Sequence, residues 1–533
     1  MSRWSATLAR ADHQHVLLSN LRLAAVLVTA LVAWLAFARE ACSAAWIAVP
    51  AVSFVLLLAR HARVLRARDR ARVALRYYER GLSRLAGTWR GAGPDGARFL
   101  DEHSYANDLD LFGSGSLFQL LSTATTEAGE ETLARWLSRT ATASDVLVRQ
   151  EAVAELRDHT DFRESIALFA SESRALRTRV LVRWAETRPE GFSPWHGWLF
   201  GAMAVVTVAV VVTVGMEFLP SPLLLIWLAV EGGIALVWRT KVHQVIRRAD
   251  AASDDLGLLS SLLERIETET FRSARLVTLQ RTLTRNEVMP SRHIARLQRV
   301  IAVRDVSRNP FMHPFALLLC LRTQAAVAID RWHAAHRDEL TRWIEAVGEL
   351  EALSSLAAYA FEHPADPFPV IADGPARFDA KGLAHPLLDE AVAVRNDVTL
   401  GGASPQVLVV SGSNMSGKST LLRAIGTNAV MALMGAPVRA TLLTITPLAI
   451  GATIRVHDSL LEGQSRFYAE ILRLREIVTK ARSGPLLFLL DEILHGTNSK
   501  DRRIGADAIL RALVGAGAVG LITTHDLALA EFV

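Results

Sequence analysis

Cysteine is scarce in this sequence, which has only Cys42 and Cys320 among its 533 residues. Two cysteines cannot form a zinc site by themselves, and nothing in their spacing suggests a disulfide scaffold. The soluble parts are therefore expected in a reducing, cytoplasmic setting. The helical middle of the chain also contains no low-complexity tract, no short repeat and no alternating strand pattern, which excludes a short-repeat architecture there.

Apolar residues, in contrast, are abundant for a soluble protein: they make up 51% of the chain, and the mean hydropathy is +0.24. This composition predicts membrane segments, and the length is enough for about three domains. The net charge of +5 is a mild excess. Such an excess suits contact with phosphates, nucleic acid or an anionic membrane surface, and it does not distinguish between them.

Two apolar runs lie close to the N-terminus, at residues 23–38 and 41–59. A helix needs about 20 such residues to cross the hydrocarbon core of a membrane. A cleaved signal peptide is the alternative for the first run. Because the second run follows after only two residues, and no clean Ala-x-Ala site separates them, a transmembrane hairpin is the favoured interpretation.

A second pair of apolar runs lies at residues 198–216 and 223–238. Their connector carries no Lys or Arg, whereas basic residues crowd the other ends of both pairs. The positive-inside rule predicts a multi-pass protein of the inner (cytoplasmic) membrane, with lipid around both hairpins and the soluble domains in the cytoplasm. A buried soluble hairpin is the alternative for this second pair. Glu231 is the one acid well inside a span, and the adjacent Gly232-Gly233 favours a structural role in close helix packing.

The segments between and after the hairpins, up to residue 362, have the pattern of soluble amphipathic helices. We expect these helices at residues 117–137, 145–156 (capped by Ser144-Asp145), 247–285, 291–306 and 313–359. A stretch rich in Pro, Asp and Gly at 362–382 predicts a boundary to a different domain. The predicted domains are a transmembrane hairpin at 1–65, a helical part at 66–193, a second hairpin at 194–240, a second helical part at 241–382 and an α/β domain at 383–533.

The α/β domain carries a phosphate-binding motif. Residues 407–410 form a short apolar strand, residues 411–420 contain Gly-x-x-x-x-Gly-Lys-Ser (Walker A), and residues 421–434 form an apolar-periodic helix, which is the context this motif requires. The glycines let backbone N–H groups point at phosphate oxygens, the Lys reaches the β- and γ-phosphates of ATP, and the following Ser hydroxyl ligates Mg²⁺. The predicted nucleotide-binding residues are Gly412, Ser413, Asn414, Met415, Ser416, Gly417, Lys418, Ser419 and Thr420, of which Ser419 is also a magnesium ligand.

Two further strand ends carry polar groups suited to ATP hydrolysis. The apolar run 486–490, a candidate central strand, ends in Asp491-Glu492 (Walker B). Asp491 is the predicted second magnesium ligand, and Glu492 is the predicted catalytic group that orients or deprotonates the attacking water. A third strand at 518–523 leads to His525, which is predicted to contact the γ-phosphate as a catalytic group. The alternatives are solvated acids after a core strand and an ordinary surface histidine.

These motifs resemble the MutS family, the ATPases of DNA mismatch repair. The Asn-Met pair at the centre of the phosphate loop is typical of MutS, and the nine residues after Glu492 are similar to a MutS run. Residues 457–470 look like the MutS signature loop, with Ser465, Phe467 and Glu470 at the expected spacing. In that family the loop serves the ATP site of the partner subunit. The resemblance therefore implies a homodimer through the ATPase domains and a catalytic role for Ser465 in trans.

The resemblance extends upstream, where residues 108–121 and 149–153 look like the MutS core domain. It implies an all-α MutS-like core and lever region and a C-terminal α/β P-loop ATPase domain of the ABC type. With the α-helical membrane hairpins that the apolar runs predict, the expected fold is multidomain. There is no N-terminal mismatch-reading domain, and no aromatic residue stands near 393–396, where MutS proteins stack one on adenine. The chain stops at Val533, where family members continue, which is consistent with a C-terminal truncation.

Three functions are open at this point. The first is a membrane-anchored MutS-like ATPase that hydrolyses ATP with Mg²⁺ and binds DNA in a role related to mismatch repair or branched DNA. The second is a membrane ATPase that acts on a protein partner. The third is an ABC-type transporter, which is disfavoured because four short spans make a thin pathway and the signature reads Glu-Gly-Gln-Ser-Arg-Phe instead of the transporters' Ser-Gly-Gly-Gln.

Overall fold

The computed structural model describes residues 1–39, 41, 43–102, 105–169, 176–284, 289–306, 312–413, 416–454, 466–494 and 497–525. Helices α1 to α16 are, in chain order, Ser2–Phe37, Ala48–Leu85, Leu117–Leu121, Glu127–Ser138, Ala143–Asp158, Thr160–Phe169, Thr178–Glu186, Pro194–Gly215, Ser221–Thr268, Ala274–Leu283, Pro290–Val306, His313–Leu318, Leu321–Glu362, Lys418–Met434, Arg466–Ala481 and Ser499–Gly515. Strands β1 to β8 are Val370–Ile371, Arg377–Leu383, Asn396–Gly401, Val407–Ser411, Leu442–Ile445, Ala449–Thr453, Leu486–Asp491 and Val519–Thr524.

The chain divides into two compact units. One comprises Met1–Trp89 and Asp161–Ala175, and the other comprises Arg90–Thr160 and Leu176–Val533. The first unit is built on α1 and α2, which pack against each other in opposite directions through Ala11, Leu18 and Val64. At the far end of this pair, the Trp4 and Tyr78 side chains both donate hydrogen bonds to the Glu164 carboxylate. One carboxylate therefore joins α1, α2 and α6.

Four helices of the described chain are long and apolar enough to cross a membrane by length and composition: α1, the helical stretch that ends with α2, α8 and α9. They contain most of each of the four apolar runs of the sequence, and α2 and α9 continue well beyond these runs. In the most apolar stretch of each helix, only 6 to 22% of the residues are buried. Most of this apolar surface therefore has no protein covering it.

Glu231 of α9 is buried, and its side chain forms hydrogen bonds to α8 and to the residue that precedes α13. Its Oε2 accepts a hydrogen bond from Thr207 Oγ1 of α8 (2.9 Å), and its Oε1 accepts one from Cys320 Sγ (2.9 Å). These bonds fit the structural role expected for this acid. The expectation for Gly232-Gly233 is wrong, because a Cβ at either glycine would meet no atom within 4 Å.

The helical part of the second unit interrupts three of the helices expected from the sequence. The helix expected at 247–285 is divided between α9, which ends at Thr268, and α10, which begins at Ala274. The helix expected at 117–137 is split into α3 and α4, because Thr126 caps α4 by accepting a hydrogen bond from the Gly129 N–H. The buried Glu351 carboxylate of α13 accepts hydrogen bonds from the Thr125 and Thr126 backbones and hydroxyls. Burial raises the pKa of Glu351, although these hydrogen bonds oppose the shift. The helix expected at 313–359 is likewise broken at Cys320, which has a φ of 46°.

The start of α5 corrects another local expectation. Thr142, rather than Ser144-Asp145, is the N-cap of this helix, and its hydroxyl accepts a hydrogen bond from the Asp145 N–H at 3.2 Å. A hydroxyl in this position satisfies one of the free N–H groups at a helix start. The N-cap therefore lies two residues before the position that the sequence predicts.

The C-terminal α/β part contains two four-stranded sheets. The first sheet has the order β1-β5-β2-β3 and is mixed, and the second has the order β4-β8-β7-β6 and is parallel. Strand β7 lies between two neighbours, as expected for a continuous apolar run. Phe488 and Leu490 of β7 pack with α15 and α16, whereas Leu489 lies on the other face against Gly426 of α14. The parallel sheet is thus covered by helices on both faces, which confirms the α/β prediction for this part.

Candidate nucleotide-binding site

The predicted site residues meet at one edge of the parallel sheet. Strand β8 pairs with β4 on one side and with β7 on the other, so that Ser411 is opposite Thr524 and Asp491 is opposite Thr523. The carboxyl ends of these three strands are therefore level with one another. Ligands bind at this end of parallel α/β sheets because the loops that leave the strands meet there.

Lys418 bends back over the loop between β4 and α14. Its Nζ atom donates hydrogen bonds to the carbonyl oxygens of Gly412 (2.6 Å) and Ser413 (3.2 Å), and its side chain is buried. Gly417, which precedes α14, has a φ of 88°, a conformation that strongly favours glycine. The loop therefore encloses an ammonium group, and an anion could replace the two carbonyl oxygens to which it donates.

Glu492 and His525 lie next to the Lys418 ammonium. The Oε1 atom of Glu492 is 2.5 Å from His525 Nε2 and 3.6 Å from Lys418 Nζ, and the two nitrogen atoms are 3.5 Å apart. Glu492 has a φ of 47°, which is unusual for a residue other than glycine. This backbone turn comes directly after β7. The structure thus brings together three residues that the sequence predicted from three separate motifs.

Thr523 is a residue of this site that the sequence analysis missed. Its buried hydroxyl donates a hydrogen bond to Asp491 Oδ1 and accepts one from the Glu492 N–H at 3.1 Å. It therefore orients the carboxylate of Asp491 and holds the start of the turn. A threonine at the end of a buried strand gives no signal for this role, because the contact depends on the pairing of β7 with β8.

Glu470 of α15 is buried and accepts a hydrogen bond from the Leu494 N–H at 2.6 Å. Leu494 itself has a φ of 62°. Glu470 therefore stabilises the loop that follows Asp491-Glu492 within the same subunit. The sequence had singled it out only by its spacing in the signature run.

Some predicted positions lie outside the described residues, namely Asn414, Met415 and Ser465. The other predicted loop positions are described, and Ser416 and Thr420 are exposed while Ser419 is half-buried. Ser419 is the second residue of α14, and Asp491 is the last residue of β7. These two residues carry the oxygen donors that were predicted to bind a magnesium ion.

The helical part contacts the α/β part beside this site through the buried Asp108. Its Oδ1 atom accepts a hydrogen bond from the Ile454 N–H (2.9 Å), and its Oδ2 atom lies 2.7 Å from a guanidinium nitrogen of Arg473. The Asp108 carbonyl accepts a hydrogen bond from Arg423 Nε of α14 at 3.2 Å. The sequence placed Asp108 only in a run resembling the MutS core, so its contact with the α/β part was not foreseen.

A cavity of about 250 Å³ lies between the same two parts, lined in part by Asp110, His385, Thr420 and Arg423. Burial lowers the pKa of His385 to about 4, because desolvation and the nearby Arg423 outweigh the attraction of Asp110. Its Nδ1 atom accepts a hydrogen bond from the Leu387 N–H at 3.2 Å. The imidazole beside the cavity is therefore neutral near pH 7.

Comparison with known proteins gives matches in the C-terminal part of the chain. Residues 408–533 match the model of MutS domain V. The Endonuclease MutS2 of Thermus thermophilus is 34% identical over 191 residues, which is 36% of this chain and 25% of that protein. The DNA mismatch repair protein MutS of Methanosarcina mazei is 34% identical over 199 residues, which is 36% of this chain and 22% of that protein.

The matched region thus spans about a quarter of the length of these curated relatives. The match to MutS domain V includes the loop before α14, the end of β7 and the end of β8, which together form the site described above. The last 126 residues of the chain therefore match domain V of the MutS family, and about a third of the chain is similar to individual MutS and MutS2 proteins.

Proposed function

We propose that this chain is a membrane-anchored MutS-like ATPase that binds and hydrolyses ATP and uses the cycle to change its contact with DNA. The observation that carries the proposal is the convergence of Lys418, Glu492 and His525 at the edge of the parallel sheet. A buried ammonium, a carboxylate and an imidazole beside a glycine-containing loop suit the cleavage of a terminal phosphate.

Each residue has a chemical role in this proposal. The Lys418 ammonium exchanges the carbonyls of Gly412 and Ser413 for β- and γ-phosphate oxygens. The Ser419 hydroxyl and the Asp491 carboxylate would hold Mg²⁺, since this ion prefers oxygen ligands. When bound, Mg²⁺ neutralises negative charge that develops on the phosphates. Glu492 orients the attacking water and accepts its proton.

The proposed assembly is a homodimer through the ATPase domains, in which Ser465 of one subunit completes the site of the other. The support is the resemblance of residues 457–470 to the MutS signature loop. Lys418 and Ser465 of one subunit would then serve different ATP sites of the dimer. Mixing a Lys418 variant with a Ser465 variant therefore tests this arrangement directly.

DNA is the proposed partner because two of the similar proteins carry names that refer to DNA mismatch repair or to an endonuclease. We expect ATP hydrolysis by the detergent-purified protein to be stimulated by at least one of plain duplex, mismatched duplex and branched DNA. The measurement compares steady-state rates with each DNA and without DNA. Hydrolysis that none of these DNAs changes would instead favour the alternative in which the ATPase acts on a protein partner.

The proposed location is the inner (cytoplasmic) membrane, crossed by the α1–α2 and α8–α9 hairpins. The support is their apolar length and the small fraction of that surface that protein covers. We expect the protein to resist carbonate extraction from membranes, and a variant that lacks residues 1–60 to resist it as well, because α8 and α9 remain.

A paired substitution tests whether α8 lies in lipid. Val205 and Val208 are 69% and 49% exposed. In the variant that lacks residues 1–60, where α8 and α9 are the remaining candidate spans of the described chain, replacing both by Arg should sharply reduce the carbonate-resistant fraction. Each Arg near a span centre costs about 2.5 to 3.5 kcal/mol of insertion free energy. The control is Val303→Arg on α11, which is also exposed and should leave that fraction unchanged. Equal behaviour of the two variants would mean that α8 and α9 form a hairpin in water.

A further inference from the structure

The part of α2 that follows its apolar run is dense in arginine. Between residues 60 and 84 the sequence has nine arginines, no lysine and two acids, Asp69 and Glu79. One of these arginines, Arg68, forms an ion pair with Asp12 of α1. The remaining arginines greatly exceed the acids on this helix, so its surface is strongly positive.

Most of these arginines share one side of the helix. The buried side of α2 is formed by His61, Val64, Ala71 and Ala74. At 100° per residue, the opposite half of the helix carries six exposed arginines and one exposed acid, Asp69, so its net charge is strongly positive. We call this set the arginine face: Arg63, Arg66, Arg70, Arg72, Arg76 and Arg80.

The positive charges of the arginine face are close to one another. Arg72, Arg76 and Arg80 follow at intervals of four residues, which is about 6 Å along a helix. The pKa of Arg80 is lowered, first by desolvation and then by the charges of Arg76 and Arg84. Because like charges at this spacing destabilise a helix, an anion with repeated charges would stabilise the face by binding to it.

The distance from the proposed membrane decides between two sources of negative charge. α2 is one continuous helix, and its apolar run ends at Ala59. With a rise of about 1.5 Å per residue, Arg72 lies about 20 Å and Arg80 about 31 Å beyond that point. Even a tilt of about 40° leaves them about 15 Å and 24 Å above it. The headgroup layer extends about 5 to 7 Å beyond the hydrocarbon edge, and its potential falls off over a Debye length of about 8 Å, so the attraction of lipid is weak at Arg72 and negligible at Arg80.

We infer that the arginine face of α2 binds the phosphate backbone of nucleic acid. The inference rests on the proposed function, and it assigns the DNA contact to a surface outside the ATPase part. The face is about as long as seven to eight base pairs of duplex, since residues 63–80 extend over about 26 Å. Arginine forms bidentate hydrogen bonds to phosphate and is suited to contacts that do not read sequence.

The test replaces Arg72, Arg76 and Arg80 together by Gln in the full-length protein. We expect the affinity for a fluorescent random-sequence duplex to fall about tenfold or more at low salt. The slope of log affinity against log salt should become shallower by about 2.7, because each lost phosphate contact removes about 0.9. Fluorescence anisotropy of the detergent-purified protein measures both quantities, and the basal ATPase rate and the melting temperature report that the variant is folded.

The matched control replaces Arg281, Arg299 and Arg342 by Gln, three exposed arginines of other helices. It removes the same net charge, so it should leave the affinity and the salt slope close to those of the unmodified protein. An equal loss in both triple variants would overturn the inference, because general charge would then explain the binding.

The remaining outcomes separate the failure of this inference from that of the proposed function. If the unmodified protein binds duplex and the Arg72, Arg76 and Arg80 variant binds it equally well, the inference fails and the DNA partner stands. If the unmodified protein binds no nucleic acid, the DNA part of the proposed function fails and the inference fails with it. A last arm uses nanodiscs with and without phosphatidylserine: if this lipid weakens duplex binding in the unmodified protein only, the face lies on lipid and the inference is wrong.

Discussion

Replacing Glu492 by Gln is expected to slow ATP hydrolysis by roughly 10²- to 10⁴-fold while ATP binding persists. The amide has the size of the carboxylate but cannot accept a proton from water. Among the described residues, Glu492 is the carboxylate that forms ion pairs with both Lys418 and His525. We therefore expect no other side chain to accept the proton in its absence. Single-turnover hydrolysis gives the rate, and equilibrium binding of ATP with Mg²⁺ gives the affinity.

The same substitution at Glu476 is the control for this prediction. Glu476 lies on α15 of the same domain, is exposed and pairs with Lys480 one turn away. We expect Glu476→Gln to hydrolyse ATP at close to the unmodified rate, since exposed pairs of this kind contribute little. A Glu492→Gln variant as fast as this control would remove Glu492 from the chemistry.

Replacing Lys418 by Ala is expected to abolish tight ATP binding. Hydrogen bonds to a charged group contribute about 1.5 to 3 kcal/mol each, and Lys418 would make two of them to phosphate, so the affinity should fall by at least about 100-fold. Filter binding measures this loss. Lys480→Ala, an exposed lysine on α15, is the matched control and should bind ATP normally. Normal binding by Lys418→Ala would contradict the site.

The Lys418→Ala variant also tests the proposed dimer when it is mixed with Ser465→Ala. If Ser465 acts in trans, a mixed dimer has one site with both lesions and one site with neither. We expect the mixture to recover part of the hydrolysis that each variant alone has lost. Full activity of Ser465→Ala by itself would contradict the trans role of this residue.

The α/β part can be predicted from the sequence because its signals are local. Each of the strands β4, β7 and β8 is a short apolar run, and each leads directly into the residues that carry the chemistry, at Gly412, Asp491 and His525. A run of this kind predicts a buried strand whatever the rest of the chain does. The loop and the start of α14 follow in the same way from the glycines and Lys418.

Helix boundaries in the middle of the chain are harder to predict from the sequence, because long-range contacts set them. The break before α4 depends on Thr126, which hydrogen-bonds to Glu351 from a position 225 residues away. The break at Cys320 coincides with a hydrogen bond to Glu231. Apolar periodicity continues across both breaks, and the sequence therefore predicts one helix where the structure has two.

The sequence by itself determined the helical hairpins, the α/β character of the C-terminal part and most of the candidate catalytic residues. Only the tertiary structure decided how these residues meet. The order β4-β8-β7-β6 brings Lys418, Glu492 and His525 together and puts Thr523 beside Asp491. Asp108 contacts Ile454 across 346 residues of chain. Contacts of this kind depend on how strands and helices pack against one another. Neither local propensity nor the hydrophobic period of the sequence predicts that packing.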